Sequence, residues 1–297
     1  MVQDQLVLFA TLACVLLAEH VVLTRLYEKR SSLQRIFVDR NFTAKADLVY
    51  AAFYSFGLRY VVGIAALMVL PGIAYVAVGL IRNHFEIQPL LGNWTPANSL
   101  VAIAVWLVLL DLPGYLTHVA MHKVPFLWRF HELHHSATEM NIVTGSRISL
   151  GERFFNDFGR LVMLSFMIGL PDIRISGVVL LIRRIIDKLQ HSDLPWDYGL
   201  LGYIIASPRF HRLHHSSNPE DFDANYGNIF SFWDYLFGTV ADRYRTSSAV
   251  ADTCDLGLRT AEQTSYYTRW VPVLFEQTFF PYLVRLWRWL TTRNKPI

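Results

Sequence analysis

The sequence predicts an all-α protein in a membrane: a multi-span helical bundle with a cytoplasmic, histidine-rich metal-binding cap. Three observations predict this. Charged residues make up 17% of the chain and hydrophobic ones 53%, whereas ordinary soluble domains carry about 25% charge. Apolar runs of spanning length recur through the first half. Nine of the 11 histidines fall between positions 118 and 215, eight of them in three short clusters at helical spacing.

The first apolar run, residues 5–24, has the roughly 20 residues that a spanning helix needs. A cleaved signal is disfavoured, because no basic leading region or small-residue cleavage site is evident. The loop 25–47 carries six basic residues, Arg25, Lys29, Arg30, Arg35, Arg40 and Lys45, against three acids. The positive-inside rule therefore puts it in the cytoplasm and the N-terminus outside. A second apolar stretch, 48–81, is broken by Pro71-Gly72. It reads as a spanning helix to about residue 70 and then a shorter interfacial segment. The span beginning near residue 99 returns the chain to the cytoplasm near His118, with Pro113-Gly114 expected to kink it and Pro125 to end it. Residues 153–190 read as an apolar hairpin dipping into the membrane around Leu170-Pro171-Asp172, which brings His191 back to the face of the other histidines. Residues 207–240 are expected in the aqueous cap. The tryptophan-, tyrosine- and arginine-rich stretch 266–290 reads as an interfacial helix.

The clusters read His118-Val-Ala-Met-His122, His131-Glu-Leu-His134-His135 and His211-Arg-Leu-His214-His215. A helix turns about 100° per residue, so positions three and four apart share a face. Each cluster is thus a one-sided array of imidazoles. With His191, the arrays offer more nitrogens than one ion can use, and the spacing argues for two metals. A lone histidine is more often an ordinary residue of intermediate burial, and His20 and His84 keep that reading. Structural zinc sites are rich in cysteine, but Cys14 and Cys254 are far apart. The nucleophile pattern Gly-x-Ser-x-Gly is absent. Of the Glu-x-x-His pairs used by bundle di-iron proteins, there is one, Glu132–His135. Imidazole suits zinc, copper, iron and nickel alike, so the ligand type leaves the metal open. A net charge of +3 without a basic aromatic patch argues against nucleic acid.

Asp111, Tyr115, His118 and His122 share one helical stripe about 60° wide. A carboxylate at Asp111 suits a hydrogen bond to a ligand's free ring nitrogen, although a helix-end acid meeting water has the same spacing. Asn225-Tyr226-Gly227 looks like turn chemistry with a structural role.

These residues resemble the superfamily of fatty acid hydroxylases and sterol desaturases, integral-membrane di-iron oxygenases. The resemblance rests on Asp111…Tyr115…His118…His122, Leu127-Trp128-Arg129-Phe130-His131-Glu132-Leu133-His134-His135-Ser136 and Gln190-His191-Ser192. It continues through Pro208-Arg209-Phe210-His211-Arg212-Leu213-His214-His215-Ser216, Asn225-Tyr226-Gly227 and Trp233-Asp234-Tyr235-Leu236-Phe237-Gly238-Thr239, in the family's order over roughly 111–240.

The resemblance implies two irons, with zinc an alternative in purified protein, held by His118, His122, His131, His134, His135, His191, His211, His214 and His215. Asp111, Tyr115 and Asp193 are candidates for contacts behind these ligands. It implies O2 as co-substrate and hydroxylation of a C–H bond in a membrane lipid. A lipid or sterol desaturase on the same scaffold is the first alternative; a non-catalytic membrane metal-binding protein is the second. No haem domain is evident in the chain, so electrons are expected from a separate ferredoxin-like or haem-containing donor with its reductase. The implied domains are N-terminal membrane helices over 1–98, a hydroxylase-like di-iron domain over 99–245 and an interfacial tail over 246–297. The expected location is a bacterial inner membrane, with the metals on its cytoplasmic side. The chain departs from the family pattern at Val119, where arginine is common, and at Asp193, where asparagine is common. It also has Arg147-Ile148-Ser149-Leu150-Gly151-Glu152 in place of Arg-x-His-Pro-x-Glu. These departures bear on substrate and supporting contacts more than on metal binding.

Overall fold

The computed structural model describes residues 2–39, 42–56, 76, 78–87, 99–167 and 173–258. Among them every regular element is helical, apart from one isolated antiparallel bridge between Ser216 and Leu256. The all-α expectation therefore holds for the described residues. Most of the expected span over 48–70, the break at Pro71-Gly72 and the helix over 266–290 lie outside them.

Helix α1 runs Val2–Leu26 and α2 runs Phe42–Phe56, with a short π-helical turn at Gln34–Val38 between them. The loop expected over 25–47 thus contains ordered structure, and its last residues already belong to α2. Helix α3, Ser99–Lys123, contains Pro113 without ending there. Proline removes one backbone donor, but the helices Leu150–Met167 and Ile173–Gln190 both pack against α3 and support it. Thr117 Oγ1 also donates to the Pro113 carbonyl at 2.7 Å.

Pro125 opens the next helix, α4, Pro125–His135, at the first helical turn, where a missing N–H costs nothing. The stretch 153–190, expected as a hairpin, holds two helices, α5, Leu150–Met167, and α6, Ile173–Gln190, and its expected turn at Leu170-Pro171-Asp172 lies outside the described residues. Gly151 lets α5 approach α4 closely: a Cβ there would sit 1.9 Å from the Phe130 ring. The short helices α7, Pro208–His214, α8, Phe232–Phe237, and α9, Asp242–Thr246, complete the cap. Ser207 caps α7, its Oγ accepting from the Phe210 N–H.

One helix among the described residues is long and apolar enough to cross a membrane, Leu100–Lys123. The cap has its own core, in which Phe210 and Leu213 of α7 pack with Val240, Ala241, Tyr244 and Ala251. That packing continues past residue 245: Arg212 Nε donates to the Ala251 carbonyl, and the Ser217 N–H to the Asp255 carbonyl. A fully buried ion pair, Arg147 with Asp47, joins the cap to α2. The same guanidinium donates to Ser136 Oγ and to the Thr43 carbonyl, so it holds the end of α4 against the start of α2.

Candidate metal centre

All nine histidines singled out in the sequence converge. They come from the end of α3 (His118, His122), from α4 (His131, His134, His135), from the residue after α6 (His191), and from α7 and its C-cap (His211, His214, His215). They divide into two groups whose ring nitrogens lie within 4.8 Å of one another. The first comprises His118, His122, His131, His135 and His214; the second comprises His134, His191, His211 and His215. Eight of the nine are buried, and His122 is intermediate.

The division does not follow the clusters. From each His-x-x-His-His run, the first and last histidines enter one group and the middle one crosses to the other. Helical geometry explains this. Relative to the first histidine, the one at i+4 is rotated about 40° one way and the one at i+3 about 60° the other. The pair 131/135 therefore faces the first group with His214, and the pair 211/215 faces the second with His134. The groups are contiguous, the rings of His135 and His215 stacking at 4.4 Å.

Five of the nine rings have an outer nitrogen fixed by an acceptor. Nδ1–H donates to the Tyr226 carbonyl from His118 (2.8 Å), to Ala224 from His214 (2.8 Å), to Asp187 from His191 (2.7 Å) and to Arg147 from His134 (3.3 Å). His131 Nδ1–H donates to the Glu152 carboxylate at 2.9 Å. A carbonyl can only accept, so each of these rings carries its proton on Nδ1 and turns a bare Nε2 inward. Burial, and then the neighbouring imidazoles, hold His134, His135, His211 and His215 well below the ordinary histidine range. His214 is pushed down to about 3 by burial. Neutral imidazole is the form that ligates metal.

The inner nitrogens fit metal ions. In the first group, Nε2 of His131 lies 3.2 Å from Nε2 of both His118 and His135. In the second, Nε2 of His191 lies 3.3 Å from that of His134 and 3.0 Å from that of His211. In the pairs His118–His131 and His134–His191 both rings have an acceptor at Nδ1, so their Nε2 atoms have only lone pairs to offer one another, and a shared cation resolves the conflict. The separations are those of adjacent ligands on an ion about 2.1 Å from each. Nε2 of His122 and of His214 are buried without any hydrogen-bond partner. The donor set is imidazole throughout; Glu132 belongs to neither group.

Residues 103–239 match the sequence model of the fatty acid hydroxylase family. That stretch, a little under half of the chain, is similar to this family. Among curated proteins, the chain is 26% identical to an ornithine lipid hydroxylase of Rhizobium tropici over 77% of its own length and 66% of the relative's. It is 32% identical to an alkylglycerol monooxygenase of Caenorhabditis elegans, over 45% of this chain and 26% of that protein. With human cholesterol 25-hydroxylase it shares 27% identity, over 49% and 52% of the two chains. The chain thus spans less than two thirds of the first relatives it matches. No solved structure matches it.

The matched stretch also shows what supports the histidines, and here the structure differs from the sequence expectations. The Asp111 carboxylate accepts from the N–H groups of Ile229 and Phe230, both at 3.0 Å, rather than from a histidine ring. It pins the 229–230 backbone to α3, because those N–H groups come within reach before any ring does. Tyr115 OH pairs with Thr239 Oγ1, and Asp193 bridges Arg35 and Arg212 at 2.6 Å each. The groups that do touch the rings are Glu152 and four carbonyls. Glu152 had a signal, since it ends the run that begins at Arg147; backbone carbonyls leave none in side-chain identity. Asn225-Tyr226-Gly227 serves the rings through its backbone. Asp234 accepts from the N–H groups of Tyr226 (2.8 Å) and Gly227 (2.7 Å), and so aims the Tyr226 carbonyl at His118. Asn225 takes a positive φ of 58°, a conformation that asparagine tolerates better than most residues.

Proposed function

We propose that this chain is a membrane-embedded di-iron oxygenase that hydroxylates a C–H bond of a lipid, with O2 and two electrons from an external donor. The observation that carries the reading is the pair of adjacent groups of buried, neutral imidazoles at the cap end of an apolar helix. Nine ligands would share the ions, five in the group of His118 and four in the group of His191. Two irons bound there would supply what side chains lack, the activation of O2 for attack on an unactivated C–H bond.

The protein's part is binding, orientation and exclusion of water. Glu152 and the carbonyls of Ala224, Tyr226, Arg147 and Asp187 hold five rings with Nε2 turned inward, so no proton must leave those nitrogens before metal binds. Burial of eight ligands keeps water from the site. Helix α3 links the ligands to the apolar phase from which a lipid would come. We read 1–98 as membrane helices and 99–245 as the di-iron domain, with the site on the cytoplasmic side. The relatives' printed names, an ornithine lipid hydroxylase and alkylglycerol monooxygenases, favour hydroxylation over desaturation and a polar lipid as substrate. The electron donor would be a ferredoxin-like or haem protein. Per turnover one C–H bond is oxidised to C–OH, and two electrons and two protons reduce the second oxygen atom to water.

The test compares lipid extracts from cells expressing the wild type or His135→Ala, with a competent reductase, under oxygen-18 gas. A product gaining one labelled oxygen with the wild type alone supports hydroxylation. Loss of two hydrogens without label would make the protein a desaturase. No lipid difference despite two bound irons would leave a non-catalytic metal protein.

A further inference from the structure

The residues between Gly199 and Ser207, and between Asn228 and Val240, contain one charged side chain, Asp234, and that carboxylate is buried. The two segments form one surface. The Ser231 N–H donates to the Ile204 carbonyl at 3.0 Å and its hydroxyl to the Gly202 carbonyl at 2.7 Å, while the rings of Tyr203 and Tyr235 meet at 5.0 Å. The outer side of this surface is apolar. Leu200 is 86% exposed and Leu236 67%, and Leu201, Tyr203, Ile204 and Phe237 are each about half exposed or more. Scattered exposed apolar residues are ordinary, but a contiguous patch of them marks a contact.

Its position relative to α3 says with what. The Phe237 ring stacks on Tyr115 at 5.5 Å, and Trp233 packs with Tyr115 and Tyr226. A hydrocarbon core of about 30 Å takes about 20 helical residues. Counted from Leu100, it ends near residue 119. Tyr115 then lies about 6 Å inside that boundary, and the patch beside it shares its level. Leu116, next to Tyr115, is itself exposed on α3. The patch therefore continues the lipid-facing surface of that helix. Aromatic side chains with a polar tip, as at Tyr203 and Tyr235, are the residues that favour the headgroup boundary.

We infer that Gly199–Ile204 and α8 form an apolar shelf that inserts into the lipid leaflet beside α3, rather than facing water as a sequence reading of 207–240 expects. This rests on the reading of α3 as a membrane span. The occupant is the bilayer itself. The shelf sets the depth of the cap, and through the Tyr115–Tyr226 packing it ties that depth to the helix that carries His118 and His122.

The experiment uses the full chain in phosphatidylcholine nanodiscs, with Cys14→Ser and Cys254→Ser. Single cysteines replace Leu200, Leu236, Val101 or Glu220, and each carries an environment-sensitive fluorophore. Quenching is compared between nitroxide-labelled lipid and aqueous iodide. The inference expects the probes at 200 and 236 to be quenched several-fold more by the lipid nitroxide than by iodide, as at 101, and the probe at exposed Glu220 to show the reverse. Iodide quenching at 200 and 236 would put the shelf in water. Protection from both quenchers would mean that protein, such as a second copy of this chain, covers it. Either result overturns the inference while leaving the span intact, whereas a water-exposed probe at 101 sinks the span as well.

Discussion

Replacing Glu152 by leucine removes the carboxylate that holds the Nδ1–H of His131 without emptying the space it fills. The bond is 2.9 Å long and both side chains are 4% exposed, so water has little room to substitute. Partners behind metal ligands contribute roughly 10- to 100-fold in metal affinity, and bonds to an ionised acceptor are about twice as strong as neutral ones. Glu152→Leu is therefore expected near the upper end, about 100-fold or about 2.7 kcal/mol. Glu152→Gln keeps an acceptor but loses the charge, and belongs nearer tenfold, about 1.4 kcal/mol. The loss should fall on the group containing His131 and leave the group of His134, His191, His211 and His215 loaded. Cobalt(II) titration followed by visible absorption reads this as one of two binding steps moving to higher concentration. Equal weakening of both steps would refute the reasoning, since Glu152 would then act on the whole cap. So would an unmoved titration.

Three further outcomes follow from the same geometry. Arg147→Met strips the partner from fully buried Asp47, and breaking such a pair should cost about 3–5 kcal/mol; thermal melting in detergent checks it, and a variant within 1 kcal/mol of wild type would contradict it. In metal-free protein, His214 and its neighbours are held below the ordinary range, His214 at about 3, while an unfolded chain takes up those protons near pH 6.5. Their contribution to stability is thus complete above pH 6.5 and is lost as pH falls toward 3, so denaturation midpoints should drop between pH 7.5 and 5.5; a flat profile would count against neutral rings. By the positive-inside rule the six basic residues of 25–47 predict a cytoplasmic loop: an impermeant thiol reagent on intact cells should label a cysteine at Gln3 and spare one at Glu28, and labelling at 28 alone would invert the topology.

The histidine array was the most legible part of the chain, because side chains that share a helix face announce themselves by spacing. The spacing also contained the crossing of His134 and His214, since i+3 and i+4 diverge by about 100°. Assigning each to an ion, however, required the relative placement of α4 and α7, which spacing does not carry. Contacts behind the ligands were less legible. Asp111 was the acid nearest the first cluster on its helix, yet backbone donors of 229–230 reached it instead. Carbonyls orient four rings, and every residue has one. The shelf at 199–204 was invisible for a related reason. Its apolar side chains are ordinary in composition, and only the contact of neighbouring α8 with Tyr115 on α3 gives them a depth.

Metal counting after anaerobic iron loading tests the central claim most directly. Two irons per chain are expected in the wild type. His134→Ala should weaken only the ion of the His191 group, and His214→Ala only that of the His118 group, so each variant retains one tightly held iron. One iron per wild-type chain, or two held unchanged in both variants, would contradict a two-metal centre divided in this way.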